Sequence, residues 1–163
     1  MKKFSFTLYA AACILFVNGQ TIPKSNTVYF ELGGNALFTS LNYERQLLKN
    51  TRLNFHIGTG IYGMNPAYLT IPFGVNYLFK SNYPTSYIDL GVGATYSKAD
   101  VKLYEIVDNK NPNYKNTNYW NGVLSIGYRK LTKRNLMYRI SFTPVINHND
   151  FFPFFGFSIG KSF

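Results

Sequence analysis

Cysteine is almost missing from this 163-residue chain, and the single one, Cys13, lies in an apolar stretch near the amino terminus. If that stretch is removed after export, the remaining chain holds no thiol. Disulfides, thiolate metal sites and cysteine nucleophiles are then excluded. The two histidines, His56 and His148, are far apart and have no carboxylate or thiol at metal-ligand spacing. The sequence therefore predicts neither a metal site nor a cofactor.

Charge and long apolar runs are also scarce. Charged residues make up only 15% of the chain, whereas aromatic residues are frequent at 18%. Beyond residue 19, no apolar run approaches the roughly 20 residues of a membrane-spanning helix, and helical periodicity is absent. The net charge of +10 is of the sign that nucleic-acid-binding proteins carry. The basic residues, however, do not lie along one helix or on a sheet whose aromatic side chains could stack on bases. We therefore expect no nucleic-acid partner.

The amino-terminal residues have the pattern of a secretory signal peptide. A basic start precedes an apolar stretch over residues 4–17, which is too short for a spanning helix. The small Gly19 indicates cleavage directly after it, and lipid attachment at Cys13 is the alternative. The sequence thus predicts a signal peptide over residues 1–19 and one β-barrel domain over residues 20–163.

The rest of the chain alternates apolar and polar residues with the period of two that is typical of strands. An even number of such segments suits a closed antiparallel up-and-down barrel. We predict an all-β fold, an eight-stranded transmembrane β-barrel, with strands near residues 27–37, 40–48, 52–62, 68–80, 86–98, 117–131, 136–146 and 153–163.

One face of each predicted strand is aliphatic or aromatic, and the other is small or polar. A soluble lipocalin-like barrel would turn its apolar face inward and cover its outside with charges. Here the polar face consists mostly of Gly, Asn, Ser and Thr, which suits a narrow lumen better than a water-facing exterior. The pattern therefore favours a barrel with its apolar face outward, and a soluble periplasmic lipid-binding barrel is the alternative.

Three residues do not fit the strand pattern. Arg45 takes the outward parity of the second strand, and Pro72 and Pro144 lie within strands, where proline cannot donate to the ladder. A β-bulge at each position is one explanation. For Arg45, a side chain that reaches the membrane interface is the other.

The final strand alternates apolar residues with glycine and serine and ends on an aromatic residue. Its apolar positions are Phe155, Phe157, Ile159 and Phe163. This run resembles the C-terminal strand of Gram-negative outer-membrane barrels, which the barrel-insertion machinery recognises. An ordinary amphipathic strand that ends in Phe is the alternative.

With the signal peptide, the eight segments and this last strand, the chain resembles the small outer-membrane β-barrel domain family of the OmpX and OmpA-barrel type. The resemblance implies a monomer in the outer membrane of a Gram-negative envelope, in contact with lipid and lipopolysaccharide. Lys161 departs from the family pattern, which prefers an apolar or aromatic residue there. Such a resemblance implies architecture and says little about activity.

Inside so narrow a barrel, side chains fill the lumen. Five ionisable residues have inward parity, and buried charges need partners. We expect them to form a polar network that closes the lumen, and a gated proton or ion path is the alternative. The network residues are Glu31, His56, Asp89, Arg129 and Arg139.

Loop lengths predict the orientation, because outer-membrane barrels have short periplasmic turns and longer external loops. The short turns lie near residues 49–50, 81–85 and 132–135, and the longer loops near 36–39, 63–67, 99–116 and 147–152. The third loop mixes charges with tyrosines and has flanks that can extend the strands and pair with another chain. We predict it as the external contact surface, through Asp100, Lys102, Tyr104, Glu105 and Tyr114. A loop without a partner is the alternative.

Basic residues gather at the predicted periplasmic rim, at Lys49, Arg52, Lys80, Lys130, Lys133, Arg134 and Lys161. We expect them to contact lipid phosphates, and an acidic periplasmic protein is the alternative partner.

Enzymatic chemistry has one candidate, a base and an acid in the fourth external loop. His148 and Asp150 would suit a hydrolase that modifies lipid A, but no serine lies at a suitable spacing, and Ser141 and Ser158 point inward. We therefore predict a non-enzymatic outer-membrane barrel with a structural or surface-interaction role. A lipid-modifying enzyme is the alternative.

Overall fold

The computed structural model describes residues 25–48, 51–63, 67–97, 120–146 and 151–163. The predicted signal peptide, the predicted contact loop with its five named residues, and His148 and Asp150 lie outside these ranges. No helix within the described ranges is both long and apolar enough to cross a membrane.

Ten strand segments form one antiparallel sheet. They are β1 (Asn26–Gly33), β2 (Thr39–Gln46), β3 (Leu53–Tyr62), β4 (Tyr68–Lys80), β5 (Ser86–Ser97), β6 (Trp120–Leu131), β7 (Leu136–Phe142), β8 (Val145–Ile146), β9 (Phe151–Phe152) and β10 (Phe155–Ser162).

The sheet closes on itself because β10 pairs with both β7 and β1, and β5 pairs with β6. β8 continues β7 along β6, and β9 precedes β10 along the same line. The ten segments therefore make eight barrel strands, and the predicted closed eight-stranded barrel is confirmed.

We call the end of the barrel that carries Asn26 and Phe163 the terminal rim, and the opposite end the far rim. The described turns over residues 81–85 and 132–135 close at the terminal rim with backbone hydrogen bonds, Ser81 N to Ser86 O (3.0 Å) and Thr132 N to Leu136 O (2.8 Å). The connections at the terminal rim span four to six residues, and the longest connection, residues 98–119 between β5 and β6, lies at the far rim. Outer-membrane barrels typically carry their longest loops on one side.

Neither internal proline causes a bulge. Across Pro144, β6 keeps one register, with Ile126 opposite Phe142 and Gly122 opposite Ile146. Across Pro72, β4 likewise keeps one register with β5 from Thr70 to Lys80. Each proline removes a donor without inserting a residue, so the bulge explanation is wrong at both positions.

Arg45 also lies in continuous register, opposite Asn26 on β1 and Phe55 on β3. Its side chain is exposed on the outer face. No bulge turns it inward, so the bulge explanation is wrong here too.

Strand alternation places apolar side chains outside and polar ones inside. In β1, Val28, Phe30 and Leu32 are between 40% and 48% exposed, whereas Glu31 is fully buried. The other strands repeat the pattern, with outward residues such as Leu41, Ile57, Leu69, Val92, Ile126, Ile140 and Phe157. The barrel therefore has an apolar exterior and a polar interior.

The first connection differs from the prediction. We expected a strand to residue 37 and an external loop at 36–39, but β1 ends at Gly33 and Gly34–Ala36 form a single 3₁₀ turn that is buried. Gly33 and Gly34 have φ of 68° and 66°, a region that glycine enters at little cost. Two consecutive glycines thus let the chain turn into the barrel, and alternation alone did not reveal this.

Candidate functional site

Arg129 lies at the centre of the lumen charges, near the terminal rim. It donates from Nη1 to Oε1 of Glu44 (2.5 Å) and from Nη2 to Oε2 of the same carboxylate (2.8 Å). It also donates from Nε (3.0 Å) and Nη2 (2.6 Å) to Oδ2 of Asp89. A planar guanidinium suits such paired contacts. One buried cation therefore holds carboxylates from β2 and β5.

Arg139 forms a second centre beside the first. It donates from Nη2 to Oε1 of Glu31 (2.6 Å) and from Nε to Oγ of Ser158 (3.2 Å). Its Nη1 lies 3.5 Å from Oδ2 of Asp89, and its guanidinium carbon lies 4.8 Å from the ring centre of Tyr29. Because both arginines contact Asp89, they form one unit, which we call the ion-pair cluster: Glu31, Glu44, Asp89, Arg129 and Arg139.

The cluster joins strands that are distant in sequence. Its members come from β1, β2, β5, β6 and β7, and Asn76 on β4 donates from Nδ2 to Oδ1 of Asp89 (3.0 Å). Alternation turns every one of these side chains inward. The arrangement ties opposite walls of the barrel together across the lumen.

Nearer the far rim, the connection between β1 and β2 occupies the lumen. We call residues 33–38 the inner turn. The backbone N–H of Asn35 donates to Oε2 of Glu31 (3.3 Å), and its side-chain amide lies 3.0 Å from Nε2 of His56. Thr95 donates to the carbonyl of Asn35, and Thr70 donates to that of Ala36 (3.3 Å). Inward side chains of β3, β4 and β5 thus satisfy polar groups of the buried turn.

Leu37 completes the inner turn with an apolar contact. It is buried with Val123 and Val145, and Tyr62, Phe152 and Phe154 pack against this group. We call these six residues the apolar cap. Leu37 has φ of 80°, an unfavourable conformation for a residue with a Cβ. Burial of its side chain at the cap offsets that strain.

The structure places all five predicted lumen residues inside the barrel and buries them. Four of them belong to the ion-pair cluster, whereas His56 contacts the inner turn. Sequence reasoning missed Glu44 and Asn35. Glu44 has the same parity as the polar residues Ser40 and Asn42, and this parity alone predicts an inward side chain. Asn35 had no such signal, because it lies in a turn.

The predicted insertion-signal residues lie on the outer face of the last barrel strand. Phe155, Phe157, Ile159 and Phe163 are all exposed, and the strand pairs with β1 from Thr27 to Gly33. Their recognition by insertion machinery stays a prediction.

Within the described ranges, no group of three or more His, Cys, Asp or Glu side chains is arranged to hold a metal ion. The three carboxylates of the cluster are instead occupied by guanidinium groups. The chemistry of the described lumen is therefore that of buried ion pairs and hydrogen bonds.

A search of protein-family models and a search of curated proteins found no match for this chain. A search of solved structures found the outer membrane protein Ail of Yersinia pestis, determined in a phospholipid bilayer nanodisc. The likeness covers 88% of this chain and 100% of that one, with a TM-score of 0.55 and 9% sequence identity. Together with the strand pairing, it shows that this chain has the fold of a small eight-stranded outer-membrane β-barrel.

Proposed function

We propose that this protein is an integral outer-membrane β-barrel with a closed polar lumen, no enzymatic activity, and a structural or surface-interaction role. The proposal rests on one observation: the apolar face of each strand points outward and the polar face points into the lumen. A row of exposed aliphatic and aromatic side chains surrounds the barrel, while Glu31, Asp89 and Arg129 are buried inside. Such an exterior is costly in water and favourable in hydrocarbon.

Membrane fractionation and gel mobility test this directly. Folded outer-membrane barrels resist detergent unless heated, so we expect the protein in the outer-membrane fraction, with a mobility that changes on boiling. The variant Leu69→Glu/Val92→Glu places two negative charges on the lipid-facing surface and should fail to insert. The control Lys133→Glu/Arg134→Glu places two negative charges in a turn at the rim and should still insert. Recovery of the wild-type protein in the soluble fraction would contradict the proposal.

The geometry of the lumen supports a barrel that does not conduct. The ion-pair cluster spans the lumen near the terminal rim, and the inner turn with the apolar cap occupies it nearer the far rim. Both would have to move for an ion to pass. In planar bilayers we therefore expect no steady current from the wild-type barrel. A double variant that removes only side chains of the inner turn, Asn35→Gly with Leu37→Gly, should also carry no steady current, because the ion-pair cluster still spans the lumen. Steady wild-type conductance would contradict a closed lumen.

For the surface role, we propose the loop over residues 99–116 as the external contact region. It connects β5 to β6, whose paired ends lie at the far rim at Tyr96 and Trp120. Deletion of residues 101–116 should leave insertion and heat-dependent mobility unchanged and abolish any binding to host or envelope proteins. A deletion that prevents insertion would instead assign the loop a role in assembly.

The absence of enzymatic activity is part of the same proposal. Of the inward serines, Ser158 donates to Oε1 of Glu31 and Ser141 lies 3.5 Å from the carbonyl oxygen of Gly156, so neither faces the lipid. An unchanged lipid A profile in cells that express the protein or its His148→Ala variant would support this, and a profile that depends on His148 would overturn it.

A further inference from the structure

We propose that the outer face of the barrel at the terminal rim carries a binding site for one anionic phospholipid, with its phosphate between Arg45 and Lys161 and an acyl chain in the groove beside them. This inference rests on the proposed membrane location and adds a specific lipid site to it. Both cations were exceptions to the sequence pattern, and the structure places them on neighbouring parts of one surface.

The register fixes where the two cations lie. Arg45 on β2 is opposite Asn26, and Lys161 on β10 is opposite Val28, two residues further along the same strand β1. With strands ~4.8 Å apart and a rise of ~3.4 Å per residue, their Cα atoms are roughly 12 Å apart. Both side chains are exposed and long enough to converge on one phosphate.

A shallow, largely open apolar groove of about 340 Å³, lined by neither cation, begins next to this pair. Its walls include Val28, Leu41, Tyr43 and Ile57, with Thr59 at the end away from the terminal rim. The Tyr43 hydroxyl donates to Oδ1 of Asn26 (2.7 Å), which holds the ring toward the rim. A chain that enters beside Arg45 would therefore run along the strands into the hydrocarbon region.

The distribution of charge identifies the occupant. In the part of the chain that the structure describes, every carboxylate side chain is inside the lumen, namely Glu31, Glu44 and Asp89. The described outer face thus offers cations without acidic side chains to pair with them. Arg45 and Lys161 form no ion pair with those three carboxylates, all of which bind Arg129 or Arg139. A phosphate joined to an acyl chain satisfies both the charge and the groove.

Native mass spectrometry of the barrel in mixed micelles tests the site, with phosphatidylglycerol and phosphatidylcholine supplied in equal amounts. We expect the wild type to retain one phosphatidylglycerol in preference to phosphatidylcholine. Since a basic residue near a membrane surface contributes about 1 kcal/mol, the double variant Arg45→Gln/Lys161→Gln should lower that preference at least tenfold. The control Lys130→Gln/Lys133→Gln removes the same charge from another part of the rim and should leave it unchanged.

A second pair of variants tests the groove. Ile57→Trp fills it and should reduce retention of both lipids, whereas Leu69→Trp, on the outer face of β4, should not. Equal loss in the two charge variants would show a diffuse basic rim and overturn the site. Binding of glycerol phosphate alone that displaces the lipid would show that the groove plays no part.

The failure of this inference can be told from the failure of the proposed function. Heat-dependent mobility and vesicle insertion of the wild type are measured first. A wild type that inserts but shows no preference for phosphatidylglycerol overturns the lipid site alone, and one that does not insert overturns the membrane proposal.

Discussion

The two ends of the lumen are filled in different ways. Near the terminal rim, Arg129 and Arg139 hold three carboxylates from separate strands. Nearer the far rim, a loop folds back into the barrel, bonds to Thr70 and Thr95, and covers itself with Leu37 and its apolar neighbours. The first solution uses long charged side chains, and the second uses backbone and a small apolar group.

The difference indicates which end of the lumen better tolerates the loss of a side chain. Removal of one ion from the cluster leaves others buried without a partner, and this cost is high. Removal of an apolar side chain from the cap leaves a cavity, which the loop can partly close by moving. We therefore expect the charged end to be the more sensitive, and the following variants order the effects from largest to smallest.

The largest effect is expected for Arg129→Met, which removes the cation that Glu44 and Asp89 share. The free energy of unfolding in detergent micelles should fall by about 3–5 kcal/mol, because two carboxylates lose their main partner. Urea titration followed by tryptophan fluorescence measures it. Arg134→Met, in an exposed turn, is the control. Addition of Glu44→Gln to Arg129→Met should recover part of the loss. A loss no larger than the control's would contradict the expected sensitivity of the charged end.

Leu37→Ala should come next, with a loss of about 3 kcal/mol from the apolar cap. Leu37→Gly removes more of the side chain but relieves the positive φ, a conformation that costs about 1–2 kcal/mol in residues with a Cβ. We therefore expect the glycine variant to be the more stable of the two. Leu69→Ala, on the outer face, is the matched control. An alanine variant more stable than the glycine one would mean that strain at residue 37 is negligible.

Gly33→Ala should cost about 2 kcal/mol, since residue 33 has a positive φ. A Cβ there would also collide with the carbonyl oxygen of Phe155 on the neighbouring strand. Gly122→Ala is the control, because a Cβ at Gly122 meets its nearest neighbour at an ordinary 3.4 Å. Equal stability of the two variants would show that the inner turn tolerates displacement.

The smallest effect is expected for Asn35→Ala, which removes the contact between the inner turn and His56. One neutral hydrogen bond contributes about 1 kcal/mol. A double-mutant cycle with His56→Ala should give a coupling of similar size, whereas Asn26→Ala and His56→Ala should add without coupling. Zero coupling between Asn35 and His56 would mean that this contact does not stabilise the inner turn.

Much of the barrel could be predicted from residue alternation. Each strand has a buried and an exposed face, so parity alone placed Glu31, Asp89, Arg129 and Arg139 inside. The prolines were harder, because a missing donor does not reveal whether the register shifts. The inner turn could not be predicted. The pair Gly33-Gly34 permits a chain reversal, but nothing in the sequence shows whether the chain turns into the lumen or away from it.

Strand pairing also relates the two outward cations, Arg45 and Lys161, to each other. In the sequence, Arg45 was an exception to the parity of the second strand, and Lys161 departed from the family pattern of the C-terminal strand. Strand pairing shows that only β1 lies between them. The residue pattern of a single strand does not show which strands are its neighbours. Their proximity depends on the closure of β10 against β1.

By itself, the sequence determined the strands, their inward and outward faces, and hence an apolar exterior around a polar interior, because alternation is a local property of extended chain. Tertiary structure alone decided which carboxylate binds which arginine, that Asp89 is shared, and that the first connection enters the lumen. These depend on register, closure and contacts between residues that are distant in sequence, such as Ser158 and Glu31, which are 127 positions apart. Such distances are set only when the barrel closes.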